Sequence, residues 1–445
     1  MWDSSAGIGA LRPMKFAKYL LRAGHNVTVV CGMEVAHLEN PGTELVYLRS
    51  LPGYAEKPVM RCTGVFEMED RIVRRNKAAA IAKKYQADTQ AATPGVVKRH
   101  GVVKRMAIAI LNSDCFQSMK KRNIVQNAYR CLRSERMSPD VILSTYEPLE
   151  THLLGSKLKK RYPHAFWIAD FRDPMPNKTY QSERLYRAYQ KKQREIGNQA
   201  DAVTIVSETW RKEFELDHIR RTHTVYSGFD PDDYDIMRGQ AVRADQLVFT
   251  YTGSLYEELD TLLPFFTVLQ KLVDAGKIDP KKIAVVYAGK NGAEFQKQAA
   301  ALPAGIACVN HGFIPREQAL KLLAQSDALL HALFCFPNNT GTITGKLGEY
   351  LLADKPIVSV INGTVEASEY KSIIERSGAG FIFEIKNYPA HEPLLCDYIE
   401  KLYRQKFSNG GICFHTDKSY VDAFNYKHIA EQLITMATST VLGAK

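Results

Sequence analysis

Three short segments set charged or hydroxyl side chains beside glycines, the combination that holds anions. The first is Gly7-Ile8-Gly9-Ala10-Leu11-Arg12-Pro13, directly before a helical pattern. Glycines there let backbone N–H groups approach an anion, and a helix N-terminus adds positive potential; a plain loop leading into a helix takes glycine as well. The second is Asp170-Phe171-Arg172-Asp173-Pro174, just after the apolar run FWIA. Charges at the carboxyl end of a strand are expected to face a ligand, the alternative being a local Arg172 to Asp173 ion pair. The third and strongest is Thr342-Ile343-Thr344-Gly345-Lys346-Leu347-Gly348-Glu349. A Thr- and Gly-rich helix start with Lys346 nearby offers N–H groups and charge to a diphosphate. Glu349, about one turn in, is placed to accept hydrogen bonds from the 2′- and 3′-hydroxyls of a ribose, as acidic residues do in dinucleotide folds. A capped surface helix carrying an ordinary Glu is the competing reading.

The elements that must position these segments alternate between amphipathic helices and short β-branched runs, which predicts an α/β class with parallel sheets. In the first half the pattern gives a helix over 11–23, strands over 26–30 and 44–48, and a helical insertion over 61–137. Alternation resumes with strands at 141–144, 165–169, 202–206 and 223–226 and helices at 150–161 and 183–197. The turn-rich, charged stretch 227–246 reads as an interdomain linker. A second series follows, with strands at 247–251, 283–287, 306–310, 328–332, 357–361 and 380–383. Its helices are 261–275, 293–301, 316–324, 344–353 and 364–376. Two Rossmann-like domains result, 1–226 and 247–417, with a cleft between them and a C-terminal helix, 418–440, expected to pack back on the first. A length of 445 residues agrees with two cores rather than one.

Composition narrows the function classes. The chain is 45% hydrophobic and 24% charged, as soluble globular proteins are, and no apolar run approaches the ~20 residues that span a bilayer. MWDSSAGIG lacks the basic end and apolar stretch of a signal peptide, so a cytoplasmic location is expected. The eight cysteines are scattered without a CxxC pair and read as reduced core thiols; no metal site is expected. The net charge of +11 is concentrated: residues 61–136 hold 17 Lys and Arg against 6 Asp and Glu, so the remainder is near neutral. That excess suits an anionic membrane surface or a lipid pyrophosphate, with solvated helices as the alternative. Nucleic acid is disfavoured, because the segment lacks interleaved aromatics and a binding motif.

The order of GALRPMKFAKYLLRAGHNVTVV, WIADFRDP, VYSGFDPDDY, YTGSLY and TGTITGKLGEYLLADKPIV resembles the GT-B glycosyltransferases of family 4. The likeness is greatest to bacterial enzymes of capsule, exopolysaccharide and O-antigen assembly, and spans nearly the whole chain apart from the basic insertion. It implies retaining transfer of a hexosyl or N-acetylhexosaminyl group from a nucleotide-diphosphate donor to a glycan or lipid-linked glycan, at the inner face of the plasma membrane. No cofactor or metal is implied. The resemblance assigns the donor ribose to Glu349 and the diphosphate to residues 342–346, with Gly253 and Lys290 beside them. It turns the loop of Gly7 and Gly9 toward the transferred sugar. Asp170, Arg172 and Asp173 are the candidate catalytic residues, Asp170 or Asp173 being the places to look for a carboxylate nucleophile.

Several positions depart from that pattern. Gly341 stands where the family has a second Glu, eight residues before Glu349. Ser254 and, roughly, Leu259 stand where it has Arg and Lys, leaving Lys290 and Lys346 to neutralise phosphate. No histidine clearly matches the one that many relatives carry after the strand at 141–144, although His152 lies in that region. A nucleotide-sugar 2-epimerase or a non-catalytic, membrane-associated nucleotide-sugar-binding protein are the rival readings. Finally, MWDSSA is too polar for the buried first strand that the family places before its Gly-rich loop. The expectation is therefore an interrupted first sheet and a natural chain extending upstream.

Overall fold

The computed structural model describes residues 8–32, 43–59, 114–135, 137–176, 181–216, 218–219, 221–257, 259–337, 340–366, 368–408 and 411–442. Apart from single-turn helices, the elements of the first half are α1 (Ile8–Arg22), β1 (Val27–Gly32), α2 (Thr43–Ser50), β2 (Tyr54–Val59), α3 (Asp114–Arg133), β3 (Val141–Tyr146), α4 (Leu149–Arg161), β4 (Phe166–Phe171), α5 (Glu183–Gln199), β5 (Ala202–Ile205), α6 (Glu208–Leu216) and β6 (Thr222–Thr224). The second half continues with β7 (Leu247–Thr252), α7 (Leu263–Asp274), β8 (Ile283–Ala288), α8 (Gly292–Ala299), β9 (Ala307–Asn310), α9 (Arg316–Ala324) and β10 (Ala328–Cys335). It ends with α10 (Lys346–Ala353), β11 (Ile357–Gly363), α11 (Glu369–Ser377), β12 (Gly380–Glu384), α12 (Tyr388–Ser408) and α13 (Tyr426–Leu442).

The strands form sheets of order β1-β2, β3-β4-β5-β6 and β12-β11-β10-β7-β8-β9. Every pairing within the six-stranded sheet is parallel, as are β1–β2 and β3–β4, so the expected α/β class holds. Two compact units divide the chain, Met1–Asp173 with Glu195–Val203, and Pro174–Arg194 with Thr204–Lys445.

The six-stranded sheet is apolar on both faces because helices cover both. Successive residues of β10 point to opposite sides. Ala328, Leu330 and Ala332 join a cluster with Phe249, Tyr251, Phe265 and Tyr287. Leu329, Leu333 and Cys335 join the other cluster, with Leu347, Tyr350 and Tyr370. The near-continuous apolar runs of these strands were thus readable as buried parallel strands.

Some expectations fail locally. Residues 44–48 read as a strand from their β-branched and aromatic content, yet they lie in helix α2. Leu45 and Leu48, three apart, are buried against α1 and β1 while Val46 between them is 52% exposed, a helical and not an alternating pattern. β2 was not anticipated at all. Helix α1 begins at Ile8, so Gly9 lies in its first turn and not in a loop before it. α11 begins at Glu369, five residues later than expected, where Ser368 caps it by accepting the Lys371 N–H. Of the insertion, α3 is described, while Gly7 and residues 60–113 lie outside the described residues. The cysteines are free among the described residues, but Cys131, Cys308 and Cys413 are exposed, so only Cys31 and Cys335 are the core thiols expected. In the first half, β1-β2 and β3-β4-β5-β6 are separate sheets among the described residues; residues 1–7, on which the expected interruption turns, lie outside them.

Candidate functional site

The chain leaves β7 for β8 and β9 on one side and returns to β10 on the other. That reversal is the topological switch point, beyond whose carboxyl ends open parallel sheets bind ligands. β7 and β10 pair only at Ala328↔Phe249 and Leu329↔Thr250. Farther along, Tyr350 of α10 spans them: its hydroxyl accepts the Thr252 N–H at 3.0 Å and donates to the Leu330 carbonyl at 2.9 Å.

Glycines line this point. Gly253 follows β7 with φ +109°, a left-handed backbone that side chains rarely adopt, and its N–H donates to the Ala288 carbonyl. A Cβ at Gly253 would meet Lys346 Cε at 2.5 Å, so the absent side chain makes room for the lysine stem. Lys346, the first residue of α10, reaches from the helix start to the end of β7. Its ammonium donates to Tyr251 Oη (2.5 Å) and the Ser254 carbonyl (3.0 Å) and lies 4.2 Å from the Tyr251 ring centroid. These partners are neutral. Burial pulls the Lys346 pKa down to about 8, with Asp260 opposing that shift. Desolvation pushes Asp260 up to about 6, although it accepts the Tyr256 N–H and faces Lys346. The result is a lysine still charged at neutral pH, held beside a helix N-terminus without a salt bridge among the described residues.

The other candidates occupy the same end of the sheet. Thr344 Oγ1 lies 2.9 Å from Nε2 of His331, a buried β10 residue stacked on Tyr370. Burial, helped by the charge of Lys346, holds the His331 pKa well below its ordinary value, so the ring is neutral and fixes the threonine rotamer. Thr342 is half-buried in the loop before α10. Lys290, after β8, lies 5.3 Å from the ring centroid of Phe313, which is 62% exposed after β9. Glu349 is 15% exposed and ion-paired: Arg316 Nε donates to its Oε1 at 2.8 Å. Gly341 is packed so tightly that a Cβ would lie 2.5 Å from Ser207 Oγ and 2.9 Å from Trp210. No acidic side chain fits at that position.

In the first unit the second segment differs from expectation. Asp170 is fully buried at the end of β4 and accepts from Arg12 Nε (3.1 Å), Arg12 Nη2 (2.7 Å) and Thr145 Oγ1 (2.8 Å). It does not face outward, because all six residues of β4 are buried and α1 supplies a matching guanidinium. Arg172 donates to the Tyr146 and Glu147 carbonyls, fixing the turn after β3, and Asp173 is exposed. His152 is buried beside Ser144 Oγ (2.8 Å), and burial pulls its pKa to about 3.

Sequence reading missed Arg316, Asp233, His331 and Tyr350. Each contributes through a partner distant in the chain; Asp233 lay in the GFDPDDYD stretch read as linker and Tyr350 in TGTITGKLGEYLLADKPIV, but neither was given a role there. Elsewhere in the second unit, an open hollow of about 680 Å³ is lined by Arg211, His223, His428 and Glu431. Its arginine is already paired with Glu208 and Glu215, which leaves the hollow little net charge. Among the described residues no helix is long and apolar enough to cross a membrane, and no group of three or more His, Cys, Asp or Glu is placed to hold a metal ion.

No protein-family model and no curated protein matches the chain. Solved structures do. The chain is similar to α,α-trehalose 6-phosphate synthase from Burkholderia multivorans, at 10% identity and TM-score 0.52 over 75% of this chain and 79% of that one. It is similar to the N-terminal domain of Candida albicans trehalose-6-phosphate phosphatase, at 11% identity and TM-score 0.51 over 94% and 97%. It is also similar to an apo structure of OtsA, at 12% identity and TM-score 0.52 over 75% and 80%. The fold is GT-B. At these identities the likeness is one of architecture, with parallel-sheet Rossmann-like domains as the sequence predicted.

Proposed function

We propose that the chain is a retaining glycosyltransferase, of the family 4 kind, that takes its sugar from a nucleotide-diphosphate donor held at the switch point of the six-stranded sheet. The observation that carries this reading is the charged Lys346, buried among neutral oxygens at a helix start and beside a glycine turn. A buried ammonium that among the described residues touches no carboxylate, with only Asp260 nearby to offset its charge, is costly unless an anion completes it. A diphosphate approaching α10 would meet Lys346, the first N–H groups of the helix and the Thr342 and Thr344 hydroxyls together. Glu349 stands within one turn of Lys346 and takes the ribose.

In the reaction, the bond from the anomeric carbon to the diphosphate oxygen breaks, and the acceptor hydroxyl oxygen forms the new glycosidic bond on the same face. Lys346 and the helix dipole stabilise the negative charge that develops on the departing nucleoside diphosphate, which also receives the hydroxyl proton. No carboxylate nucleophile is assigned. Asp170 is buried, with both oxygens engaged, and Arg172 is committed to backbone carbonyls. The basic segment 61–136 supports a lipid-linked glycan acceptor at an anionic membrane surface, as in bacterial surface polysaccharide assembly. The crowding at Gly341 favours one alternative, a protein that binds nucleotide sugars without gripping the sugar.

Incubation with a panel of UDP- and GDP-sugars and lipid-linked acceptors separates the readings. Free nucleoside diphosphate with a glycosylated acceptor is expected. An isomeric nucleotide sugar would indicate epimerisation, and ribose-dependent binding without turnover would indicate the binding protein.

A further inference from the structure

The guanidinium of Arg316 joins three segments that are far apart in sequence. Its Nη1 and Nη2 donate to Asp233 Oδ1 (3.0 Å) and Oδ2 (2.5 Å), and its Nε donates to Glu349 Oε1 (2.8 Å). The two carboxylates are not equivalent. Asp233 is 6% exposed in the turn after GFDP and takes the forked end of the guanidinium, the geometry that fixes an arginine most firmly. Glu349 takes only the single Nε–H, on one oxygen, and its Oε2 has no hydrogen bond among the described residues. The cluster carries two carboxylates against one cation, so one negative charge remains on the Glu349 side.

We infer that Arg316 is a positioning residue for the nucleotide ribose: anchored on Asp233, it fixes one oxygen of Glu349 so that the other is held for a ribose hydroxyl. The inference rests on the ribose role proposed for Glu349. A flexible glutamate one turn into a helix samples several rotamers, and a hydrogen bond to a hydroxyl forms in few of them. Arg316 removes that freedom before the nucleotide arrives. Because it sits at the first residue of α9, its own backbone is set by the loop that follows β9, which ties Glu349 to a second element of the same sheet edge.

The test compares UDP with 2′,3′-dideoxy-UDP, and uses inorganic pyrophosphate as a probe of the Lys346 seat alone. Calorimetric dissociation constants are measured for the wild type, Arg316→Gln, Arg316→Lys and Asp233→Asn, each checked by thermal unfolding. The wild type is expected to favour UDP over the dideoxy compound by tenfold or more. Arg316→Gln is expected to bring that ratio to within about threefold of unity, with pyrophosphate affinity unchanged. Arg316→Lys keeps the charge but not the fork, and is expected to fall between them; Asp233→Asn, which loosens the anchor, should do the same. A wild type without ribose discrimination overturns the ribose reading of Glu349 and this inference with it. A wild type that discriminates, with folded Arg316 variants that discriminate equally well, overturns the inference alone. Parallel losses toward UDP, the dideoxy compound and pyrophosphate would mark Arg316 as merely structural, and would also overturn it.

Discussion

Replacing Lys346 by methionine is expected to make the protein more stable and unable to hold a diphosphate. Burial pulls the lysine from 10.5 to about 8. At ~1.4 kcal/mol for each pH unit of that drop, keeping the ammonium charged in place costs about 3 kcal/mol. Methionine preserves much of the stem, and its thioether packs well against an aromatic face such as that of Tyr251. Neither former partner is orphaned, because Tyr251 Oη itself donates to the Ser254 carbonyl at 2.8 Å. Asp260 loses the favourable charge of Lys346, which offsets part of the gain. The net expectation is a stabilisation of about 1 to 3 kcal/mol at pH 7. The sign with pH follows from the lowered folded value. Between about pH 8 and 10.5 the unfolded chain holds the proton that the folded chain has released, so wild-type stability rises through that window relative to the variant. Urea unfolding at pH 7 and pH 10.5 measures both, and the advantage of the variant should be full at the first and nearly gone at the second. Calorimetry should find UDP and pyrophosphate binding lost. A variant less stable than the wild type at pH 7, or one that binds UDP unchanged, would refute the reasoning.

Three further outcomes follow from the same geometry. Glu349→Ala is expected to weaken UDP and GDP binding by about 1.5 to 3 kcal/mol, the worth of a charge-assisted hydrogen bond, while pyrophosphate affinity is unchanged; equal losses for all three would count against a ribose contact. Tyr350→Phe leaves the buried Thr252 N–H without its partner and should cost about 1 to 3 kcal/mol in urea unfolding, whereas a neutral effect would mean that β7 and β10 close without the hydroxyl. Asp170→Asn leaves Arg12 as a buried, under-compensated cation and is expected to destabilise by about 3 to 5 kcal/mol; loss of turnover at unchanged stability would instead restore Asp170 to the chemistry.

Much of the second half was legible because its signals are local. The apolar runs of β7, β8, β10 and β11 need no partner to be recognised, and helix 316–324 was read to the residue. The segment 342–349 stood out as a candidate anion site by its glycine, threonines and lysine. What the sequence withheld was the state of those side chains. Nothing near Glu349 says that Arg316 holds it, and nothing near Asp170 says that Arg12, 158 residues away, neutralises it. Helix α2 was misread because a strand former such as Val46 can sit on the wet side of a helix, where propensity is overridden by the burial of Leu45 and Leu48. Long-range pairing and solvent exposure are properties of the folded chain, and composition carries them only faintly.

The short helix α10 also limits how such a protein can change. Lys346 is buried against Tyr251, Gly348 lies against the Gly228 carbonyl, Glu349 is clamped, and Tyr350 bridges two strands of the sheet. A Cβ at Gly348 would come within 2.4 Å of that carbonyl oxygen. Within five consecutive residues, then, Leu347 alone serves only as packing. Any drift in this stretch would be felt as lost stability as much as altered affinity, so if the proposed function holds, change toward a new donor has more freedom in the loops after β8 and β9, where Lys290 and Phe313 face solvent. On that reading, tolerated changes are expected in those loops, around a helix whose residues are each committed to packing or bonding.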